Sequence, residues 1–432
     1  MQLSAFASAF RTPDLRTKLL FVLGIIAVFR VGSVIPTPGV DYGAVQRCVD
    51  TAQENPILGL VNLFSGGALL QLSIFALGIM PYITASIIMQ LLTVVIPRLE
   101  SLKKEGQSGQ GKITQYTRYV TIGLAILQST SIITLARTPG RLIPGCNEDL
   151  IPDEGIFLLV IMVFVLTAGT SLIMWLAELV TDKGVGNGMS VLIFTSIIAQ
   201  FPGQMISIYR TNGVFTFALV LAVGIFTIAG VVFVEQAQRR VPVQYAKRMV
   251  GRKQYGGSST YIPIKVNMAG VVPVIFASSI LYIPSLVVNL SGSTAPWAQW
   301  IASNLSSGTE AFYLAVYAGL IIFFTYFYVA ITFNPKETAE NFKSYGGFIP
   351  GIRAGSPTEE YLQYVTSRLT APGSVYLAII AVIPFIAFGF LGVGQSFIFG
   401  GTSLLIMVGV GLDTVKQIES QLHQRSYEGF LR

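Results

Sequence analysis

Between Glu54 and Arg98 the chain carries no charged residue, and the apolar part of this run, 57–97, is interrupted by the Gly66-Gly67 pair and Pro81. As one helix those residues would extend about 60 Å at ~1.5 Å per residue, twice the ~30 Å hydrocarbon core of a bilayer. The run is too long for one membrane span and too short for two comfortable spans with a turn. A surplus must be housed somewhere, and what houses it constrains the fold.

The rest of the chain places this run in a membrane. Only 11% of the 432 residues are charged and 52% are hydrophobic, against about 25% charged in soluble domains. Apolar runs fall near 19–35, 57–97, 119–136, 156–177, 189–209, 214–234, 268–290, 311–333 and 374–412. Runs this long point to helices, because a β-barrel shows weak alternating segments of about ten residues. The first run ends at Pro36-Thr37-Pro38-Gly39 without a small-x-small cleavage pattern, so it reads as an uncleaved span.

The connecting loops alternate in basic content. Loop 98–118 holds Arg98, Lys103, Lys104, Lys112 and Arg118; loop 235–266 holds seven Lys or Arg; loop 334–373 holds Lys336, Lys343, Arg353 and Arg368. Loops 37–56, 137–155 and 291–310 are poor in both residues. The positive-inside bias puts the N-terminus and the three basic loops in the cytoplasm, and the net charge of +7 reflects that topology rather than nucleic acid. Since 37–56 lies outside and 98–118 inside, the run between them crosses an odd number of times. One crossing, about 72–97, leaves an outer surplus of roughly fifteen residues, either an interfacial helix or a re-entrant piece. If 374–412 crosses twice, the count is ten spans with both termini inside.

Ionisable groups are nearly absent from the spans. Arg30 lies near the outer end of the first, where it can snorkel, while Glu178, Glu235 and Asp413 lie at cytoplasmic ends. A proton-coupled transporter keeps titratable groups at the midplane, so this pattern counts against one. His423 is the only histidine, which argues against a membrane-embedded enzyme, and two cysteines, Cys48 and Cys146, make neither a zinc cluster nor a disulfide framework. Both cysteines fall in outer loops, where pairing is open to them. The stretch 106–113, GQSGQGKI, nearly matches a phosphate-binding loop and contains G-x-S-G. It has Ile113 where the magnesium-ligating hydroxyl belongs and no span histidine to activate Ser108, so it reads as a basic loop. GVGNG at 184–188 reads as a tight turn between spans. No metal site or cofactor is expected. The basic, tyrosine-bearing loop 235–266 is longer than topology requires and reads as a docking surface for lipid headgroups, RNA phosphates or an acidic protein, with plain positive-inside topology as the alternative. Loop 334–373 reads as a structured hairpin presenting Arg353, with a solvated loop as the alternative.

A set of motifs, in order, then points to one family: SIFALGIMPYITASIIMQLL after FSGGA, KKEG, QYTR, GNG, YAKR after QRR, KVNMAG, FASS, FNPKETAEN, FIPGIR and GGTSLLI. From about Leu19 to Leu412 these resemble the SecY family of bacterial preprotein translocase subunits. The resemblance implies an all-α integral membrane protein with ten transmembrane helices in two pseudo-symmetric halves, 1–209 and 210–432, around a central pore. A re-entrant plug helix at about 57–71, including Asn62, Phe64, Ser65, Gly66 and Gly67, would close the pore from outside. An apolar pore ring would comprise Ile79, Ile83, Ile193, Ile275 and Ile406, with Pro81 bending the helix between the first two. Thr84, Gln128 and Ile283 match a lateral gate into lipid. Arg252, Lys253 and Arg353 match loop tips that dock the ribosome and the SecA motor ATPase. The implied function is a passive protein-conducting channel of the plasma membrane, not an enzyme. Its partners would be the SecE and SecG subunits, signal peptides, unfolded preproteins and membrane lipids, with no DNA. Three departures stand out: Lys253 for a common arginine, Ala354 for a common proline and Met189 for a common isoleucine. Lysine keeps the charge but not the bidentate geometry.

Overall fold

The computed structural model describes residues 12–51, 65–138, 142, 146, 148–152, 155–245, 248–250, 253–255, 259–291, 295–305, 311–391 and 401–428. Fourteen helices lie among them: α1 Pro13–Gly32, α2 Tyr42–Thr51, α3 Met80–Val95, α4 Pro97–Lys104, α5 Gln107–Ala136, α6 Ile156–Lys183, α7 Gly188–Arg210, α8 Gly213–Gln236, α9 Val272–Ser291, α10 Pro296–Leu305, α11 Ala311–Thr332, α12 Pro335–Ser344, α13 Ser356–Leu391 and α14 Gly401–Glu428. Ten of these (α1, α3, α5 to α9, α11, α13 and α14) stand where the ten spans are expected. By length and hydropathy alone six helical stretches suffice to cross a membrane, or seven if the α3–α4 pair, bent by 99° at Ile96, is one span. The short 184–187 connection is a turn as expected. Gly186 adopts φ +91, and the Asn187 side chain caps α7 by accepting from the amides of Met189 (3.1 Å) and Ser190 (3.4 Å). The α7–α8 junction is a break at Gly213, φ 78 and ψ 175.

The opening run resolves differently from a single crossing helix over 72–97. Its helix starts only at Met80, and Ser65 to Ile79 form successive turns buried in the protein. Gly66, Gly67 and Gly78 have positive φ, and so does Leu72 at 44°. Pro81 sits in the first turn of α3, where its missing N–H costs nothing; it starts the helix rather than bending it. Side-to-side bonds replace helical ones. The Thr37 amide donates to the Leu72 carbonyl (2.9 Å), the Ile74 amide to Ile35 (2.9 Å), and the Ser73 amide to Ala68 (3.1 Å). A Cβ at Gly169 of α6 would lie 2.1 Å from the Ile74 carbonyl oxygen, so only glycine permits that approach. Asn62 and Phe64 lie outside the described residues.

Against one side of this segment sits a cap. Helix α2, whose N-terminus is capped by Asp41 Oδ1 accepting from the amides of Gly43 and Ala44, faces the stretch around 142–151. Cys48 and Cys146, left open by the sequence, are joined by a disulfide. Beside it Arg47 makes a two-pronged ion pair with Glu148 at 2.7–3.1 Å, and the Arg47 hydrogen bond holds the Glu148 carboxyl below its ordinary pKa. Ala44, Val45, Leu142, Leu150 and Ile151 share one buried cluster with Leu69, Leu72, Ala76 and Leu77 of the turn segment.

At the opposite end the chain is not all helix. Strand β1 (Gln238–Tyr245) pairs antiparallel with β4 (Ser259–Lys265) in the register Val241 to Ile262, and β2 (Arg248–Val250) pairs with β3 (Lys253–Tyr255) at the hairpin tip. The other basic loop supplies β5 (Gly347–Phe348), which adds to β1 opposite Gln244 and Tyr245. The two loops are therefore one unit, with order β4-β1-β5 and a core of Val241, Val243, Ile264, Ile349, Leu362 and Val365. The stretch 106–113, expected as a loop, is a corner at Gly106 followed by the first turns of α5.

Two outcomes test these contacts. The disulfide closes a loop of 98 residues, worth about 4 to 5 kcal/mol in the chain-entropy picture. The Cys48→Ser/Cys146→Ser variant is expected to unfold at lower temperature than the parent in detergent, and reductant should lower the parent to the same value; identical melting of all three would refute the cap. Ile349→Ala should cost about 2–5 kcal/mol locally, read as faster proteolysis in both basic loops while the spans stay intact. Unchanged cleavage would mean that the loops fold independently.

Candidate pore and gate

The five expected ring positions come from four elements. Ile79 is the N-cap of α3 and Ile83 lies one turn in; Ile193 is on α7, Ile275 on α9 and Ile406 on α14. The structure gathers all five into one apolar cluster, and each is at most 8% exposed. Ala68 of the turn segment belongs to the same cluster, with Phe29, Phe75, Ile197 and Val410, and Met189 packs against its edge. Phe276 of α9 meets Phe324 and Tyr328 of α11 edge-on at 5.7 and 6.3 Å, which couples those two helices at the cluster's side.

Arg30 does not snorkel. Its guanidinium Nη1 donates to the Gly66 carbonyl at 3.0 Å, so the charged end of α1 holds the start of the turn segment. Gly66 needs its missing side chain twice over: φ is +70, and a Cβ would stand 3.3 Å from the Ser196 Cα of α7. Sequence reasoning missed this contact, although an arginine in an otherwise charge-free span next to a Gly-Gly pair was its signal.

On the strand-bearing side of the cluster lies a cavity of about 460 Å³, lined by Glu235, Lys265, Asn267, Tyr328, Val410 and Asp413 among others. The Asn267 side-chain amide donates to Glu235 Oε1 (2.5 Å) and to the Gly270 carbonyl (3.1 Å), and Lys265 Nζ stands 3.5 Å from Asp413. Charges of both signs line it, so its walls select no one kind of guest. No group of acids, histidines or cysteines suited to a metal occurs among the described residues.

The gate positions lie on α3, α5 and α9, and α9 packs against both other helices. Thr84 Oγ1 donates to the Met80 carbonyl (3.0 Å), Gln128 is half-buried and Ile283 is exposed. Of the docking positions, Arg353 is exposed in the turn between β5 and α13; its carbonyl accepts from Thr358 Oγ1 (2.9 Å), which fixes the turn to the helix behind it. Lys253 opens β3 and pairs with Val250; Arg252 lies outside the described residues.

Comparison with known proteins agrees with this geometry. The SecY family model matches residues 73–415. The chain is 63% identical to the protein translocase subunit SecY of Streptomyces scabiei and 58% identical to that of Mycobacterium bovis, over the full length of each. In fold it resembles a solved protein-conducting channel (TM-score 0.63, 16% identity, 93% of this chain and 91% of that one). It also resembles a SecY channel whose plug domain is described as stabilising the closed state (TM-score 0.63, 17% identity, same coverage). A canine channel solved in complex with the ribosome gives a TM-score of 0.61 at 15% identity, covering 93% and 91%. This multi-span membrane protein belongs to the SecY family of protein translocase subunits, and it is the pore-forming subunit of a protein-conducting channel rather than an enzyme.

Proposed function

We propose that Ile79, Ile83, Ile193, Ile275 and Ile406 form the apolar constriction of this channel, with the segment entered through Gly66 and Gly67 as its outer plug. The supporting observation is that five isoleucines from four well-separated stretches of sequence meet in one buried cluster that also contains Ala68. A conduit for unfolded chains meets every kind of side chain, so it cannot select by specific polar contacts. Branched aliphatic side chains instead close on whatever passes and dewet when nothing does, which resists ion leak. The mixed-charge cavity below receives the chain before it reaches this constriction.

The wider reading assigns residues 1–209 and 210–432 to two halves that hinge apart near Gly213. The gate between α3 and α9, with Thr84, Gln128 and Ile283 along it, admits signal sequences and membrane segments into lipid. The two basic loops, joined through β1 and β5, dock the SecA motor ATPase and the ribosome through Arg252, Lys253 and Arg353, while SecE and SecG complete the complex. The loops face the cytoplasm of a plasma-membrane protein, as do both termini.

Replacing Ile83 or Ile275 by Ser is expected to raise the ion conductance of reconstituted channels several-fold without loss of folded protein; parent-like conductance in both, and in the double variant, removes the constriction. Arg353→Glu should abolish motor-driven export in vesicles while insertion of the chain itself and its melting temperature stay unchanged. Normal export in that variant takes Arg353 out of the docking face.

A further inference from the structure

The connection between α9 and α11 contains α10, a ten-residue helix with two of the chain's three tryptophans. Trp297 and Trp300 are about half exposed, whereas Ala298 between them is buried. Residues three apart share a helix face, so the two indoles form one partly exposed aromatic face while Ala298 docks α10 onto the protein.

What covers that face is indicated by α11. Its exposed positions include Phe312, Ala315, Gly319, Phe323, Tyr326 and Ala330, spaced by three or four residues and hence one stripe. The opposite side buries Tyr313, Tyr317, Ile321, Phe324 and Val329. The helix carries no charged residue. From Phe312 to Ala330 the stripe rises about 27 Å at ~1.5 Å per residue, close to the ~30 Å thickness of the hydrocarbon core. Phe312 is its outer end, and the Trp300 ring packs edge-on against Phe312 with centroids 5.4 Å apart. Trp300 therefore sits at the edge of the lipid-facing surface. Indole rings favour that level, where an apolar body meets one wet edge. Polar side chains of the same helix turn back onto it: Ser303 Oγ and Asn304 Nδ2 both donate to the Trp300 carbonyl, at 3.1 and 3.0 Å. The connection 291–310 has no Lys or Arg, so the contact is with the interfacial layer of the bilayer rather than with anionic headgroups in particular.

We propose that α10 is an interfacial anchor, lying in the outer headgroup region with Trp297 and Trp300 at the acyl boundary and holding the outer ends of α9 and α11 at a fixed depth. The test uses the assembled complex in phosphatidylcholine vesicles, in a Trp175→Phe background. The signal is the difference between this protein and one in which Trp297 and Trp300 are also Phe, so that tryptophans of other subunits cancel. Lipids brominated near the carbonyl end of the acyl chain should quench the difference emission several-fold more than lipids brominated near the bilayer centre, and aqueous iodide should quench it weakly. Strong iodide quenching with no effect of bromine would place the indoles in water. No quenching by either would mean that another protein chain covers them, and strongest quenching at the bilayer centre would bury them too deep. Each of those three results overturns the proposal.

Discussion

The structure depends on how one non-helical stretch satisfies its backbone inside a membrane protein. From Ser65 to Ile79 the chain runs through the interior as turns. In hydrocarbon an unpaired amide or carbonyl costs several kcal/mol, so irregular backbone survives only where protein surrounds it. Here the neighbours supply the bonds: residues 35–37 pair with 72–74, and the Arg30 guanidinium takes the Gly66 carbonyl. Gly169 lets α6 approach the Ile74 carbonyl at a distance no side chain would tolerate. Residues 65–79 of the apolar run are thus spent on a segment that protein surrounds.

That enclosure has two unlike halves. On one side the segment packs through Leu69 and Leu72 against α2 and residues 142, 150 and 151, which the disulfide and the Arg47–Glu148 pair fasten to each other. On the other side it meets the aliphatic and aromatic side chains of the isoleucine cluster, with Ser196 beside Gly66. A contact between aliphatic groups separates without leaving a donor or acceptor orphaned, whereas a broken buried hydrogen bond leaves both partners unpaired. A seal that must part for a passing chain and close again is best built from the first kind of contact, and its frame from the second.

Hydropathy and loop composition made the helical stretches legible, because those follow from free energies of transfer that single residues carry. They did not separate a buried helix from a buried chain of turns, since both are equally apolar. The discriminating signals were the Gly66-Gly67 pair and Pro81, a residue as suited to starting a helix as to kinking one. In the basic loop, Val241 and Val243 alternate with Pro242 and Gln244, a period of two that marks a half-buried strand. The addition of β5 was not legible, because that pairing joins residues about a hundred positions apart through main-chain bonds. Nor does any local property distinguish Ile275 or Ile406 from isoleucines that merely pack helices; their selection came from family resemblance, and the structure adds their shared burial.

Helix α13 connects the two ends of the molecule. Leu362 and Val365 near its start are fixed in the core of the joined sheet, directly behind the turn that carries Arg353. Leu377, Ala378 and Ala381 further along are fixed in a second core with Leu405 and Val408 of α14, and Ile406, next to Leu405, belongs to the isoleucine cluster. A single α-helix is stiff over this length, and both contacts are dense apolar packing that resists sliding. The Arg353 turn and Ile406 therefore cannot shift independently without opening one of those cores. A load applied at the sheet has a continuous packed route to Ile406 and needs no flexible linker to reach it.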